Sequence, residues 1–290
     1  EAAEATWLKN RAILPPRMFL SMDTWREIAK KLEFNRGDFD VLEYIAFIAL
    51  TTWRFSKQIY RFDPTLSEAL IATPTDTLQG EALGRLSAWC VYVECPIDLG
   101  IFGYFAFLDE SDEGDSLILV YHLQDNTLFA VPNLFLHGKT IKEGLAYIDE
   151  IIPTLTPEQQ ADLKMDFLLG DNNKLIAGCL SLLLYINSDA PDIEGHDPQK
   201  TPRYPAPKKV KKGLRLFEAP KRRIIYAGRT IGVKIRAALE SDRVAMSSGR
   251  TVKPHIRRAH WHGFWRGARS GDRQYSYKWL FPIAVNIEKD

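Results

Sequence analysis

With 290 residues, 46% of them hydrophobic and 26% charged, the chain has a globular composition and room for one large domain or two ordinary ones. Its net charge of +1 hides an asymmetry: residues 201–290 carry 22 Lys+Arg against 6 Asp+Glu, a surplus of 16, and residues 1–200 carry a deficit of 15. That split points to an anionic partner for the C-terminal part, to an acidic-on-basic contact inside the protein, or to both.

The first residues, Glu1–Ala5, are acidic and small, with no apolar region after them, so no secretory signal is expected. Met22–Leu32 has helical apolar spacing with Asp23 as a cap, and Phe39–Tyr60 reads as a core helix, ended by Pro64 and the Thr/Pro/Asp cluster at 73–77. Four short apolar runs follow, Trp89–Val93, Ile101–Leu108, Ser116–Leu123 and Leu128–Leu136, separated by Gly, Asp and Pro clusters; this is the pattern of a β-meander. The acidic stretch Asp109–Asp115 lacks the ligand order of a calcium loop and reads as a solvated turn.

Helices are expected over Thr140–Ile152, after Pro157 and over Asn172–Ile186. The last of these holds the longest apolar stretch, which falls short of the roughly 18–20 residues of a membrane span. Three cysteines (Cys90, Cys95, Cys179) form an odd, sparse set that suits a reducing cytoplasm and buried thiols, and their spacing matches no common zinc site. No metal or other cofactor is expected.

Asp189–Lys212 contains five prolines and turns from acidic to basic, so it reads as a linker between an acidic 1–188 part and a basic 213–290 part. Beyond it, Leu214–Ala219 and Arg223–Ala227 read as strands, and Gly228–Gly232 leads into a helix; the glycine spacing matches neither nucleotide-binding fingerprint. The chain closes with strand-like His255–Trp265 and Gln274–Asn286 around Gly267–Asp272, a hairpin. The fold class expected is α+β: a helical and β-meander N-terminal part, a Pro-rich linker and a mainly β C-terminal part.

Chemistry concentrates in Lys253–Arg266, which holds three of the six histidines and two of the seven tryptophans. On a strand, Ile256, Arg258, His260, His262 and Phe264 share one face, and His255, Arg257, Ala259, Trp261 and Trp265 the other. Both faces mix aromatic and cationic groups, so neither reads as a plain core surface. Three readings compete: a ribonuclease site in which His260 and His262 divide acid and base roles with Arg258 on the transition-state charge, a metal site on the two histidines, and a recognition groove for a peptide or nucleic acid. Beside them stands a polar core under the hairpin, satisfied by backbone hydrogen bonds. Lys208, Lys209, Lys211, Lys212, Lys221, Arg222 and Arg223 are candidate phosphate contacts.

Lys253–Trp265, together with Lys278-Trp279 and Val285-Asn286, closely resembles the C-terminal signature of the type V-A anti-CRISPR family, the VA2 type first described from Moraxella mobile elements. Trp89-Cys90-Val91-Tyr92-Val93 is a second match. The resemblance implies a protein carried on a phage or plasmid and acting in the cytoplasm of a bacterial host. It implies lowered production of the type V-A effector nuclease through recognition of its nascent N-terminal peptide and loss of the mRNA under translation. Messenger or ribosomal RNA is a second candidate partner, and no membrane is implied. The residues expected to bind are His255, Arg257, Arg258, His260, Trp261, His262, Trp265, Lys278 and Trp279. A simple nucleic-acid-binding repressor of a mobile element is the remaining alternative.

Overall fold

The computed structural model describes residues 2–12, 14, 16–31, 41–96, 99–111, 114–131, 134–136, 140–151, 172–195, 204–205, 207–211, 213–215, 217, 220–247, 255–271 and 273–285. Helices α1 (Ala2–Asn10), α2 (Met22–Lys31) and α3 (Val41–Trp53) precede strand β1 (Gln58–Phe62) and helix α4 (Pro64–Ile71). After a short turn of 3-10 helix at Gly80–Leu83 come β2 (Cys90–Glu94), β3 (Ile101–Ser111), β4 (Gly114–Leu123), β5 (Leu128–Ala130) and β6 (Leu134–Phe135). Helices α5 (Ile141–Ile151) and α6 (Asn172–Asn187) lead to β7 (Lys208–Val210), β8 (Gly213–Arg215), β9 (Arg223–Ala227) and helix α7 (Arg229–Ser247). The last strands are β10 (His255–Arg257), β11 (His260–Arg266), β12 (Gln274–Leu280) and β13 (Ile283–Val285). The fold is α+β. The expected short helix after Pro157 lies outside the described residues.

Among the described residues the main sheet runs β5-β4-β3-β2-β1-β9, with β6 beside β4. β1 is parallel to both β2 and β9, and β2 to β6 form the antiparallel meander. Both faces are covered. Tyr104, Ala106, Leu117, Leu119 and Tyr121 point into a core with α4 and α6, and Phe105, Phe107, Ile118 and Val120 point into a second core with Trp25, Ile48 and Phe55. Burial on both sides explains why these strands read as nearly continuous apolar runs.

The helix expected to reach Tyr60 stops at Trp53. There the chain turns through Lys57 at φ +47, the Trp53 indole donates to the Gln58 carbonyl at 2.8 Å, and Gln58–Phe62 is claimed by strand partners on both sides. Pro64, expected to break a helix, starts one. It sits in the first turn of α4, where its missing N–H costs nothing, and Asp63 caps the Thr65 and Leu66 amides at 3.0 and 3.3 Å.

The Asp109–Asp115 stretch is likewise not a solvated turn at its ends, because β3 and β4 continue into it and bury both carboxylates. Asp109 accepts the Met22 amide at 2.8 Å and so holds the first turn of α2, while Asp115 pairs with Arg17. Burial raises the Asp109 pKa above its ordinary 3.8.

Residues on both sides of the Pro-rich segment share one sheet and one core. β9 pairs with β1 along five residues from Gln58↔Arg223 to Phe62↔Ala227, and Trp261, Tyr275, Tyr277 and Trp279 pack in the same cluster as Leu66 and Leu183. The early part of that segment is docked: Ile193 bridges Ala227, and the Glu194 amide donates to the Tyr226 carbonyl at 2.9 Å. The Asp192 carboxylate accepts the Thr230 and Ile231 amides at 2.6 and 2.8 Å, so the N-terminus of α7 already holds an anion from its own chain. The close approach of α7 to α4 requires Gly232, since a side chain there would run into the Asp63 carboxylate.

Replacing Gly232 with Ala is expected to displace Asp63 from its cap and from Arg236, costing about 1–2 kcal/mol in urea unfolding. For Asp109 the sign follows from its raised pKa: the folded state holds the proton more tightly, so stability falls as pH rises from the unfolded value through the folded one. Asp109→Asn keeps an acceptor for the Met22 amide and is expected to remove that slope in thermal melts run from about pH 4 to about pH 7.

Candidate functional site

The C-terminal hairpin forms as the alternating pattern requires, with one interruption. β10 pairs with β13 from His255↔Val285 to Arg257↔Ile283, and β11 pairs with β12 from His260↔Leu280 to Arg266↔Gln274. Arg258-Ala259 and Phe281-Pro282 lie between the two ladders, where Pro282 has no N–H to offer.

The pairing places Trp261 opposite Trp279, Gly263 opposite Tyr277 and Trp265 opposite Tyr275 on the face turned toward the protein. This face is a core surface, contrary to the sequence expectation. Trp261, Tyr275, Tyr277 and Trp279 are all buried, and Tyr277 is wholly so. The Tyr277 hydroxyl donates to the Ala82 carbonyl at 2.8 Å, the Trp279 indole to Thr73 Oγ1 at 3.2 Å, and Arg85 to the Tyr275 carbonyl at 2.6 Å. Gly263 is needed because the Tyr275 ring crosses over it. The physical reason is periodicity: Gln274–Leu280 alternates aromatic and polar residues, and the aromatic set has a sheet-covered core to enter. Trp261 and Trp279, expected to bind, are therefore anchors of the hairpin.

The opposite face carries His260, His262, Phe264 and Lys278, with Arg258 exposed beside them. His262 packs against Phe264 at 5.6 Å, and the Arg266 guanidinium lies 5.1 Å from the Phe264 ring while pairing with Asp189 at 2.7 Å. His260 Nδ1 lies 3.3 Å from the Arg258 carbonyl, a contact that needs a proton on that nitrogen. Trp265 overhangs the end of the ladder at 44% exposure, against Tyr275 at 5.1 Å and under Arg273 at 5.5 Å. Phe264, Arg266 and Arg273 were not singled out from the sequence; the His-x-Phe-x-Arg alternation from His262 to Arg266 is the signal that places two of them on the outer face.

Of the remaining candidates, Lys211, Lys221, Arg222 and Arg223 are exposed, the last at the start of β9. Lys212 and the side chains of His255, Arg257, Lys208 and Lys209 lie outside the described residues. The C-terminal cation surplus is partly spent inside the protein, in Arg236–Asp63, Arg266–Asp189 and Arg229–Glu194 at 2.9, 2.7 and 3.5 Å.

Chemically, the outer face offers imidazoles, cations and an aromatic ring. Neither His260 nor His262 is hydrogen-bonded to a carboxylate among the described residues. No group of three or more His, Cys, Asp or Glu is placed to hold a metal ion among the described residues. In the same residues no helix is long and apolar enough to cross a membrane.

A two-faced mixed sheet with helices on both sides and a docked antiparallel hairpin is a fold seen before. The chain superposes on the crystal structure of AcrVA2 with a TM-score of 0.61 and 20% identity, covering 98% of this chain and 93% of that one. It is also 24% identical, over 302 aligned residues, to Protein FinQ of Escherichia coli, across 94% of this chain and 85% of that protein. Residues 60–287, from β1 past the end of the hairpin, match the AcrVA2-like family, described as the anti-CRISPR type V subtype A2 family, and the chain belongs to it. That membership supports an anti-CRISPR role.

The two hairpin faces predict opposite outcomes on mutation. Trp279→Ala is expected to cost about 3–5 kcal/mol in chemical denaturation. His262→Ala and Lys278→Ala, on exposed positions, are expected to stay within about 0.5 kcal/mol of the parent.

Proposed function

We propose that this protein is an anti-CRISPR regulator that lowers production of a type V-A CRISPR effector nuclease. It binds the effector's nascent N-terminal peptide through the outer face of the β11–β12 hairpin and promotes decay of the message being translated. The site of action is the cytoplasm of a bacterial host, where the ribosome presents that peptide, and the protein is carried on a phage or plasmid.

The observation that carries this reading is the division of the hairpin into a buried aromatic face and an outward face of His260, His262, Phe264 and Lys278, inside the span matched by the family. β11 is bonded to β12 along one edge and has no strand neighbour on the other among the described residues. An extended peptide beside that edge would gain main-chain hydrogen bonds, with the outer side chains and Trp265 selecting its sequence. Lys211, Lys221, Arg222 and Arg223 supply a salt-sensitive attraction for message or ribosomal RNA, together with Lys208, Lys209 and Lys212 in the same basic stretch.

An array of synthetic N-terminal peptides from effector nucleases tests the central step. The parent protein is expected to bind a subset, and His262→Ala combined with Lys278→Ala to lose about tenfold in affinity, or roughly 1.4 kcal/mol, with an unchanged melting temperature. In a coupled transcription–translation reaction the bound subset should be the one whose mRNA is lost. Affinity for RNA alone, without any peptide bound, would instead favour a simple nucleic-acid-binding repressor.

A further inference from the structure

Strand register lines up one row of side chains across the main sheet. Tyr226 stands opposite Arg61, Glu94 opposite Gly103, Gly103 opposite His122 and His122 opposite Leu128, and the Arg61–Glu94 ion pair joins β1 to β2 along the same line. By alternation this row shares a sheet face with Phe105 and Val120, which lie in one core with Ile48 and Ala49 of α3. That helix ends at Trp53, whose ring meets Phe105 and Tyr92 at 5.7 and 6.4 Å. Beyond it the row stays open: Arg61 and Phe102 are exposed, and Tyr226, Glu94, His122 and Leu128 are half-buried. The ring groups are held in place. A register shift of β3 between Ile101 and Gly103 takes Phe102 out of the alternation and sets it edge-on to the His122 ring at 5.2 Å. Tyr92 reaches across Gly103, where any side chain would strike its hydroxyl, and lies 3.0 Å from His122 Nδ1; His122 Nε2 lies 3.3 Å from Asn126 Oδ1. Burial raises the Tyr92 pKa, so the hydroxyl keeps its proton and donates to Nδ1, and Nε2–H donates to Asn126. At the other end of the row the Arg229 guanidinium lies 3.9 Å from the Tyr226 ring centre and 3.5 Å from Glu194.

We propose that this open row is a platform for single-stranded RNA, a reading that rests on the proposed action on a message for its choice of RNA over DNA. Unpaired bases are recognised by stacking on aromatic rings and guanidinium planes, and every base has a face to offer. Phe102 supplies such a surface at one end of the row, and Arg229 over Tyr226 supplies it at the other. From β9 to β4 there are four strand spacings, or about 19 Å, which suits the roughly two or three bases that other sheet platforms stack. Between the ends, Arg61, Glu94 and Asn126 present donors and acceptors to base edges and 2′-hydroxyls. Glu94 and Glu194 are engaged by Arg61 and Arg229, so they hold those guanidinium groups in place. The exposed Lys221, Arg222 and Arg223 lead into β9 and draw the phosphates to that edge of the sheet. A duplex keeps its base faces in its own stack, so it gains nothing from the row. None of these residues belongs to the hairpin, and RNA and peptide binding are therefore separable.

Fluorescence anisotropy of the full-length protein with a labelled, unstructured uridine-rich RNA of about eight nucleotides tests this. The expected result is binding that weakens as salt is raised from about 50 to about 200 mM. Duplex RNA and single-stranded DNA of the same length should bind more weakly. Phe102→Ala and Arg229→Ala should each lower affinity for the single strand about tenfold, with melting temperatures unchanged, and Phe102→Trp should keep the parent affinity. No binding at the lower salt, or parent-like affinity in both alanine variants, overturns the platform. Equal binding of single-stranded DNA overturns the choice of RNA. The peptide array, run on the same preparations, reports on the hairpin separately: peptide binding without RNA binding sinks the platform alone, and RNA binding without peptide binding sinks the hairpin reading alone.

Discussion

The docking of one hairpin face onto the main core governs the rest of the C-terminal architecture. Tyr277, Trp279, Trp261 and Tyr275 are buried among residues of α4, α6 and the Gly80–Leu83 turn, and hydrogen bonds with Ala82, Thr73, Arg85 and the Asp189 amide join β12 to that scaffold. A strand pair has only two faces, so sealing one fixes the direction of the other. His260, His262, Phe264 and Lys278 point away from the core because the aromatic residues between them point into it. Any contact made by the outer face is thereby held on a rigid support.

Charge is arranged by the same economy of faces. The acidic and basic parts of the chain meet in a few specific pairs, with Asp63 serving both as the cap of α4 and as the partner of Arg236 from α7. Asp192 fills the N-terminus of α7, a position that would otherwise attract a phosphate. The exposed cations around Lys221–Arg223 and on the hairpin are open to an outside anion, with an attraction that is sensitive to salt.

Much of the meander was legible in sequence because each apolar run is bounded by residues that favour turns, and the strands begin and end within a few residues of those runs. Gln58–Phe62 was not, since it directly follows a helical apolar stripe and its strand character comes from β2 and β9, distant in the chain. Asp109 and Asp115 looked solvated because acidic residues in a turn usually are; only the return of Arg17 and Met22 to that end of the sheet explains their burial. The hairpin is legible in its alternation, but the burial of Trp261 and Trp279 is not, because composition alone does not say which side of a strand meets a core.

By itself, then, the amino-acid order determined the elements whose signals are local: alternation, caps, turn residues, and the basic, histidine-rich closing segment whose signature marks the family. The tertiary structure decided which faces are inside and that the residues before and after the Pro-rich segment build one sheet. The reason is physical. Periodicity sorts side chains into two sets within a strand, but the choice between water and core for each set depends on surfaces contributed by residues far away in the chain.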